Sequence, residues 1–151
     1  MGRFLARRIP LSPVLTPREY LDAVDHEAAH TQAIEDLVGG EAVRAVCVFS
    51  SLLERRPDDP TLHRMLGISY FRAGNARRAA LHLETALMLL GRATTPGISL
   101  LQSLRIEFEA SVVRLALTAA YERLGHRAGV IRCLLGQDHP LAWDIRSRTR
   151  I

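Results

Sequence analysis

The HEAAH segment at residues 26–30 holds the residue types of a zinc-hydrolase helix. On a helix, two histidines four residues apart share a face and can bind Zn²⁺, while the glutamate between them activates a metal-bound water. His26 and His30 would need a further protein ligand, and folding would have to supply it from Glu54, His63 or His82. Two interpretations follow: a metal site or zinc hydrolase built on His26 and His30, or, as we favour, a helix face that is solvated or lines a binding groove.

The rest of the sequence offers no catalytic set of residues. No serine or cysteine has a visible base partner that could activate it as a nucleophile. The glycines at 39, 40 and 74 fall between helical patterns, as turn residues do, and form no phosphate-binding loop. We therefore predict a chain that is not an enzyme and that needs no cofactor.

The composition fits one compact helical domain. The 151 residues are 48% hydrophobic, 24% charged and only 5% aromatic, and the apolar content is mostly the helix formers Leu and Ala. All 20 basic residues are arginine, but a net charge of only +4 and few aromatics argue against nucleic-acid binding. No apolar run approaches the ~18 residues of a membrane span. We expect a cytoplasmic protein without nucleic-acid or membrane partners, in which Cys47 and Cys133 are buried and unpaired.

Hydrophobic residues recur every three or four positions along most of the chain, which predicts an all-α fold. Glycines, prolines and N-cap residues divide this pattern. The predicted helices span about 17–38, 41–55, 61–73, 76–90, 99–124 and 127–135, with Gly91 closing the fourth. Residues 1–15 are predicted to form an extended basic arm and residues 137–151 a C-terminal tail.

A repeat with a period of 34 residues runs through the centre of the chain. This offset superposes Gly40 on Gly74, Ala45 on Ala79 and Phe49 on Leu83. The second unit reads His63-x2-Leu66-Gly67-x2-Tyr70, then Gly74, then Ala79-x3-Leu83. Period and pattern resemble the tetratricopeptide repeat. A degenerate third unit fits Leu117-Thr118-x2-Tyr121, Gly125 and Val130-x3-Leu134.

The resemblance implies antiparallel helix pairs stacked as a short right-handed α-solenoid. The helical domain would span 16–136, with units at about 26–59, 60–93 and 111–136 and an insert at 94–110 that lengthens the first helix of the third pair. Small residues at Gly67 and Ala79 would let the two helices of a pair approach closely. Three pairs are near the smallest number that stacks stably, which favours a bound partner or a homo-oligomer.

In tetratricopeptide proteins the first helix of each pair lines a concave groove that accepts a peptide or a partner helix. The groove positions implied here are Glu27, His30, Ile34, Leu37, Arg64, Met65, Ile68, Phe71, Arg72, Val112, Leu115, Ala119 and Arg123. Because Ile34, Met65 and Ile68 stand where a clamp for acidic chaperone C-termini would be polar, that ligand is not expected. The resemblance implies a non-catalytic protein–protein interaction module, such as a small bacterial adaptor or secretion-type chaperone.

Overall fold

The described part of the chain is entirely helical. The computed structural model describes the backbone of residues 17–136 and the side chains of residues 24–136. Its helices are α1 (Pro17–Val38), α2 (Ala42–Arg55), α3 (Pro60–Arg72), α4 (Ala76–Ala93), α5 (Leu100–Arg123) and α6 (Arg127–Leu134). No strand occurs within 17–136, which confirms the all-α prediction there, while the predicted arm at 1–15 and tail at 137–151 lie outside the described residues. None of these helices has the length and hydropathy needed to cross a membrane.

Side-chain caps and glycine turns set the helix ends close to their predicted places. The Asp59 carboxylate accepts two backbone N–H bonds at the start of α3, and Ser99 forms a reciprocal capping box at the start of α5. Gly40, Gly74 and Gly125 follow α1, α3 and α5 with φ of 93°, 86° and 69°. A side chain would strain this left-handed backbone, so glycine ends each helix cleanly.

Each helix packs against the next one along the chain, and α3 also contacts α5. One core cluster lies among α1, α2 and α3, and a second lies mainly between α4 and α5. Tyr70 packs against both clusters and so joins them. The closest approach is between α3 and α4, where a Cβ added to Gly67 would stand 2.7 Å from Leu83 Cγ and 3.2 Å from the Ala79 carbonyl oxygen. The small residues at Gly67 and Ala79 thus lie where two helices touch.

Two expectations about single residues are wrong. Gly91 does not end α4, because its backbone φ is not left-handed and the helix continues to Ala93. Cys47 is exposed rather than buried, whereas Cys133 is half-buried. The buried face of α2 carries Ala42, Ala45, Phe49 and Leu52. Cys47 lies on the opposite, outer face of α2, together with Val43, which is 69% exposed.

Candidate functional site

Polar contacts join α1, α3 and α5 side by side, although these helices are not consecutive. Arg72 Nη1 on α3 donates a 2.7 Å hydrogen bond to the Leu37 carbonyl oxygen on α1. Arg64 Nη2, also on α3, lies 3.4 Å from Glu109 Oε2 on α5. The three helices that carry the predicted groove positions are therefore linked to one another.

A cation–π contact adds a second link between α3 and α5. The guanidinium carbon of Arg123 lies 4.2 Å from the centre of the Phe71 ring, and its Nη1 is 3.5 Å from the Phe71 carbonyl oxygen. The predicted groove positions include three basic residues, which are Arg64, Arg72 and Arg123. Each of them contacts a neighbouring helix, so their first role is to hold helices together.

The predicted groove positions differ in how far solvent reaches them. Exposed positions are Glu27, Arg72, Leu115 and Arg123, and half-buried positions are His30, Ile34, Arg64, Met65, Ile68, Phe71, Val112 and Ala119. Leu37 is different, because its side chain is only 5% exposed and belongs to the core cluster among α1, α2 and α3. It is therefore a core residue and offers little surface to a ligand, which corrects its assignment to the groove.

Helix α5 carries apolar side chains on two opposite faces. The face packed against its neighbours holds Ala110, Val113, Leu117, Ala120 and Tyr121. The other face holds a row that we call the α5 stripe: Leu101, Leu104, Phe108, Val112 and Leu115. Val112 is half-buried, but the other four are 80%, 58%, 68% and 74% exposed in that order. The stripe extends the predicted groove surface in the N-terminal direction along α5.

The N-terminal end of α5 projects beyond α3. Glu109 lies beside Arg64, yet nine residues of α5 precede Glu109 and only four residues of α3 precede Arg64. At 3.6 residues per turn, α5 extends more than one turn past the start of α3. Leu101 and Leu104 lie on this extension. Groove residues inferred from repeat positions alone missed them, although the insert at 94–110 was the signal that α5 would be long.

The two histidines of the HEAAH segment lie on α1, one turn apart. The His30 ring meets the Phe49 ring edge-on, with 5.5 Å between their centres. Burial is the main cause that lowers the pKa of both His26 and His30. Within residues 24–136, no three His, Cys, Asp or Glu side chains are grouped so as to hold a metal ion. The residues proposed as further ligands are thus not brought to His26 and His30.

Two of those residues, His63 and His82, bond to each other instead. Their Nδ1 atoms are 3.1 Å apart, and His63 Nε2 lies 2.9 Å from the Pro57 carbonyl oxygen. Because a carbonyl oxygen only accepts, His63 Nε2 carries the proton and its Nδ1 accepts from His82. The His82 ring also stacks on Tyr70. Burial, followed by the charges of His63 and Arg78, lowers the pKa of His82 to about 4.

Replacing His82 should make the free energy of unfolding depend less on pH in the acid range. In the folded protein the pKa of His82 is about 4, so the ring is neutral above that pH. In the unfolded chain its pKa is 6.5. The folded state is therefore favoured above pH 6.5, and this contribution is lost as the pH falls from 6.5 towards 4. As the pH falls from 7 to 5, the free energy of unfolding should drop by about 1–2 kcal/mol more for the wild type than for His82→Asn. This range allows for the partial exposure of the His82 side chain.

Urea unfolding of both proteins at several pH values measures this difference. The amide of His82→Asn can still donate to His63 but does not titrate, which makes it the matched control. Equal pH dependence of the two proteins would contradict the assignment of a neutral, half-buried His82.

Comparisons with known proteins gave no match. No protein-family model matches the chain, no curated protein matches it, and no solved structure matches it. The tetratricopeptide resemblance therefore rests on the 34-residue repeat within this sequence.

Proposed function

We propose that this chain is a non-catalytic protein-binding module of tetratricopeptide-like helix pairs. Its concave face, formed by α1, α3 and α5, holds an apolar helical segment of a partner protein. A small adaptor or a chaperone that shields such a segment is the class of function this implies, by analogy of fold.

The contacts between the first helices of the pairs support a common binding face. In a solenoid of helix pairs, each first helix lies beside the first helix of the next pair. Arg72 reaches from α3 to the Leu37 carbonyl on α1, and Arg64 reaches from α3 to Glu109 on α5. The half-buried Met65 and Ile68 lie between these links on α3 and supply apolar surface there.

The α5 stripe is the observation that carries the proposal. Four of its five residues are more than half exposed, while the opposite face of the same helix is buried. Proteins that act alone rarely leave a contiguous apolar row in water, and such rows mark binding sites. The row runs at helical spacing over about four turns of α5, so its natural complement is the apolar face of another helix.

Selection of helical peptides tests this function. A displayed library of amphipathic helical peptides is selected on the full chain, and the affinities of enriched peptides are measured at low protein concentration. Leu115→Glu should weaken binding at least tenfold, because a buried leucine contact contributes about 1.5–3 kcal/mol.

Val43→Glu is the matched control for this test. Val43 is 69% exposed, close to the 74% of Leu115, but it lies on the outer face of α2. It should change affinity less than twofold. Failure to enrich any peptide, or equal binding by Leu115→Glu and Val43→Glu, would overturn the proposed site.

A further inference from the structure

The residues of the α5 stripe are spaced symmetrically about Phe108. Leu104 and Val112 lie four residues to either side of it, and Leu101 and Leu115 lie seven residues to either side. All five share one face of α5, and four of them are largely exposed. We infer that, when no partner segment is bound, a second copy of this chain covers the stripe, with its α5 running antiparallel across a two-fold axis at Phe108. This inference rests on the proposed function, because the stripe is the α5 part of the proposed binding face, and it goes beyond that function by naming a second, competing occupant.

The symmetry gives each apolar side chain an apolar counterpart. Phe108 meets Phe108 of the second copy, and Leu104 meets its Val112. Leu101 and Leu115 close the two ends of the contact, about 21 Å apart at 1.5 Å per residue. A helix from another protein could pair with any apolar row on α5 and does not require a particular spacing of the stripe residues. Self-pairing in an antiparallel arrangement requires spacing that reads the same in both directions, and the stripe meets this condition.

Charges beside the stripe fit the same arrangement. Arg105 and Glu109 flank Phe108 on the side of α5 that faces α3, at three residues before it and one residue after it. In an antiparallel pair, equivalent flanks face each other. Arg105 of one copy then lies close to Glu109 of the other, and the two-fold axis repeats the contact. Glu109 already forms an ion pair with Arg64 of its own chain, so it would then lie between two arginines. In a parallel pair the flank that carries Arg105 and Glu109 would instead face the opposite flank of the second copy, so this contact would not form.

The projection of α5 makes the N-terminal end of the stripe accessible to a second copy. Leu101 and Leu104 lie on the part of α5 that extends past the start of α3, where α3 does not flank the helix. Helix pairs need an interaxial distance of 8–10 Å, which a projecting helix permits. Self-pairing covers Val112 and Leu115, so it competes with a partner segment for the α5 side of the binding face.

Light scattering and sedimentation of the full chain from about 1 μM to 500 μM test the self-pairing. The wild type should pass from monomer to dimer with rising concentration. Phe108→Glu places two carboxylates at the axis and should weaken the dimer at least a hundredfold. Val43→Glu should leave it unchanged. Because Phe108 is 68% exposed, the variant should keep the helical circular dichroism of the wild type.

Cysteine cross-linking locates the axis. In a Cys47→Ser/Cys133→Ala background, Phe108→Cys should form a disulfide-linked dimer under mild oxidation. Leu100→Cys is the matched control, since Leu100 is 75% exposed but lies outside the stripe, and it should cross-link at least tenfold less. A wild type that stays monomeric, a dimer that Phe108→Glu does not disturb, or equal cross-linking of the two cysteines would overturn the inference. Peptide binding is measured on the dilute monomer, so failure of self-pairing and failure of the binding face are observed separately.

Discussion

Gly67→Leu is expected to lower the free energy of unfolding by about 2–3 kcal/mol. Even the first carbon of a side chain at this position would stand 2.7 Å from Leu83 Cγ and 3.2 Å from the Ala79 carbonyl oxygen. Leu83 and Ala79 are both 0% exposed, so neither has free space into which it can move. The higher helix propensity of leucine, about 1 kcal/mol, offsets only part of this overpacking.

Gly91→Ala is the matched control for Gly67→Leu. Gly91 also lies in a helix, its backbone is not left-handed, and a Cβ there would meet no atom within 4 Å. The substitution should therefore stabilise the protein by about 0.5–1 kcal/mol. Urea unfolding of the three proteins measures both effects. If Gly67→Leu were as stable as the wild type, α3 and α4 would not approach each other as closely as the structure has them.

The positions of the helices could be predicted from the sequence because their signals are local. A left-handed glycine or an N-cap acts on its own turn of backbone, so Gly74 and Ser99 mark boundaries regardless of the rest of the fold. The close helix contact at Gly67 could also be predicted, because the repeat pattern pairs Gly67 with Ala79 on the next helix. Gly91 shows the limit of this reasoning: the same residue type ends a helix only where its φ is positive.

The burial of individual side chains could not be predicted in the same way. On α5, the row containing Phe108 and the row containing Val113 are both apolar at helical spacing, and only the packing of α4 and α6 decides that the second row is buried. Leu37 stands at a predicted groove position, but α2 and α3 enclose its side chain in the core. Cys47 lies in an apolar segment, yet it faces away from both neighbours of α2. These outcomes depend on long-range contacts that a one-dimensional pattern does not contain.

A partly buried hydrogen bond between α4 and α5 underlies the second large effect. The Tyr121 hydroxyl donates to Glu84 Oε1, and the other oxygen, Glu84 Oε2, is buried without a hydrogen-bond partner among the described residues. Burial raises the pKa of Glu84, and the bond from Tyr121 opposes this only in part. Burial is also the main cause that raises the pKa of Tyr121, ahead of its bond to Glu84. Tyr121 therefore stays a neutral donor, and Glu84 depends on it for solvation of its charge.

Tyr121→Phe should destabilise the protein by about 2 kcal/mol at pH 7, because it removes a bond to a charged group and leaves a buried carboxylate unsolvated. Glu84→Gln keeps an acceptor for Tyr121 without the charge, so it should cost less than 1 kcal/mol or stabilise the protein. Tyr121→Phe/Glu84→Leu removes donor and acceptor together and should recover most of the loss. A double substitution as unstable as the sum of its parts would contradict the pairing.

The pH dependence of Glu84→Gln separates the charge of Glu84 from its packing. The pKa of Glu84 is raised above 4.5 in the folded protein, so the folded state binds the proton more tightly than the unfolded state. Stability from this group is present below pH 4.5 and is lost as the pH rises through the raised value. The stability of Glu84→Gln relative to the wild type should therefore increase with pH over that range. Because the bond joins α4 to the helix that carries the stripe, Tyr121→Phe should also speed the hydrogen exchange of the α5 amides near Tyr121.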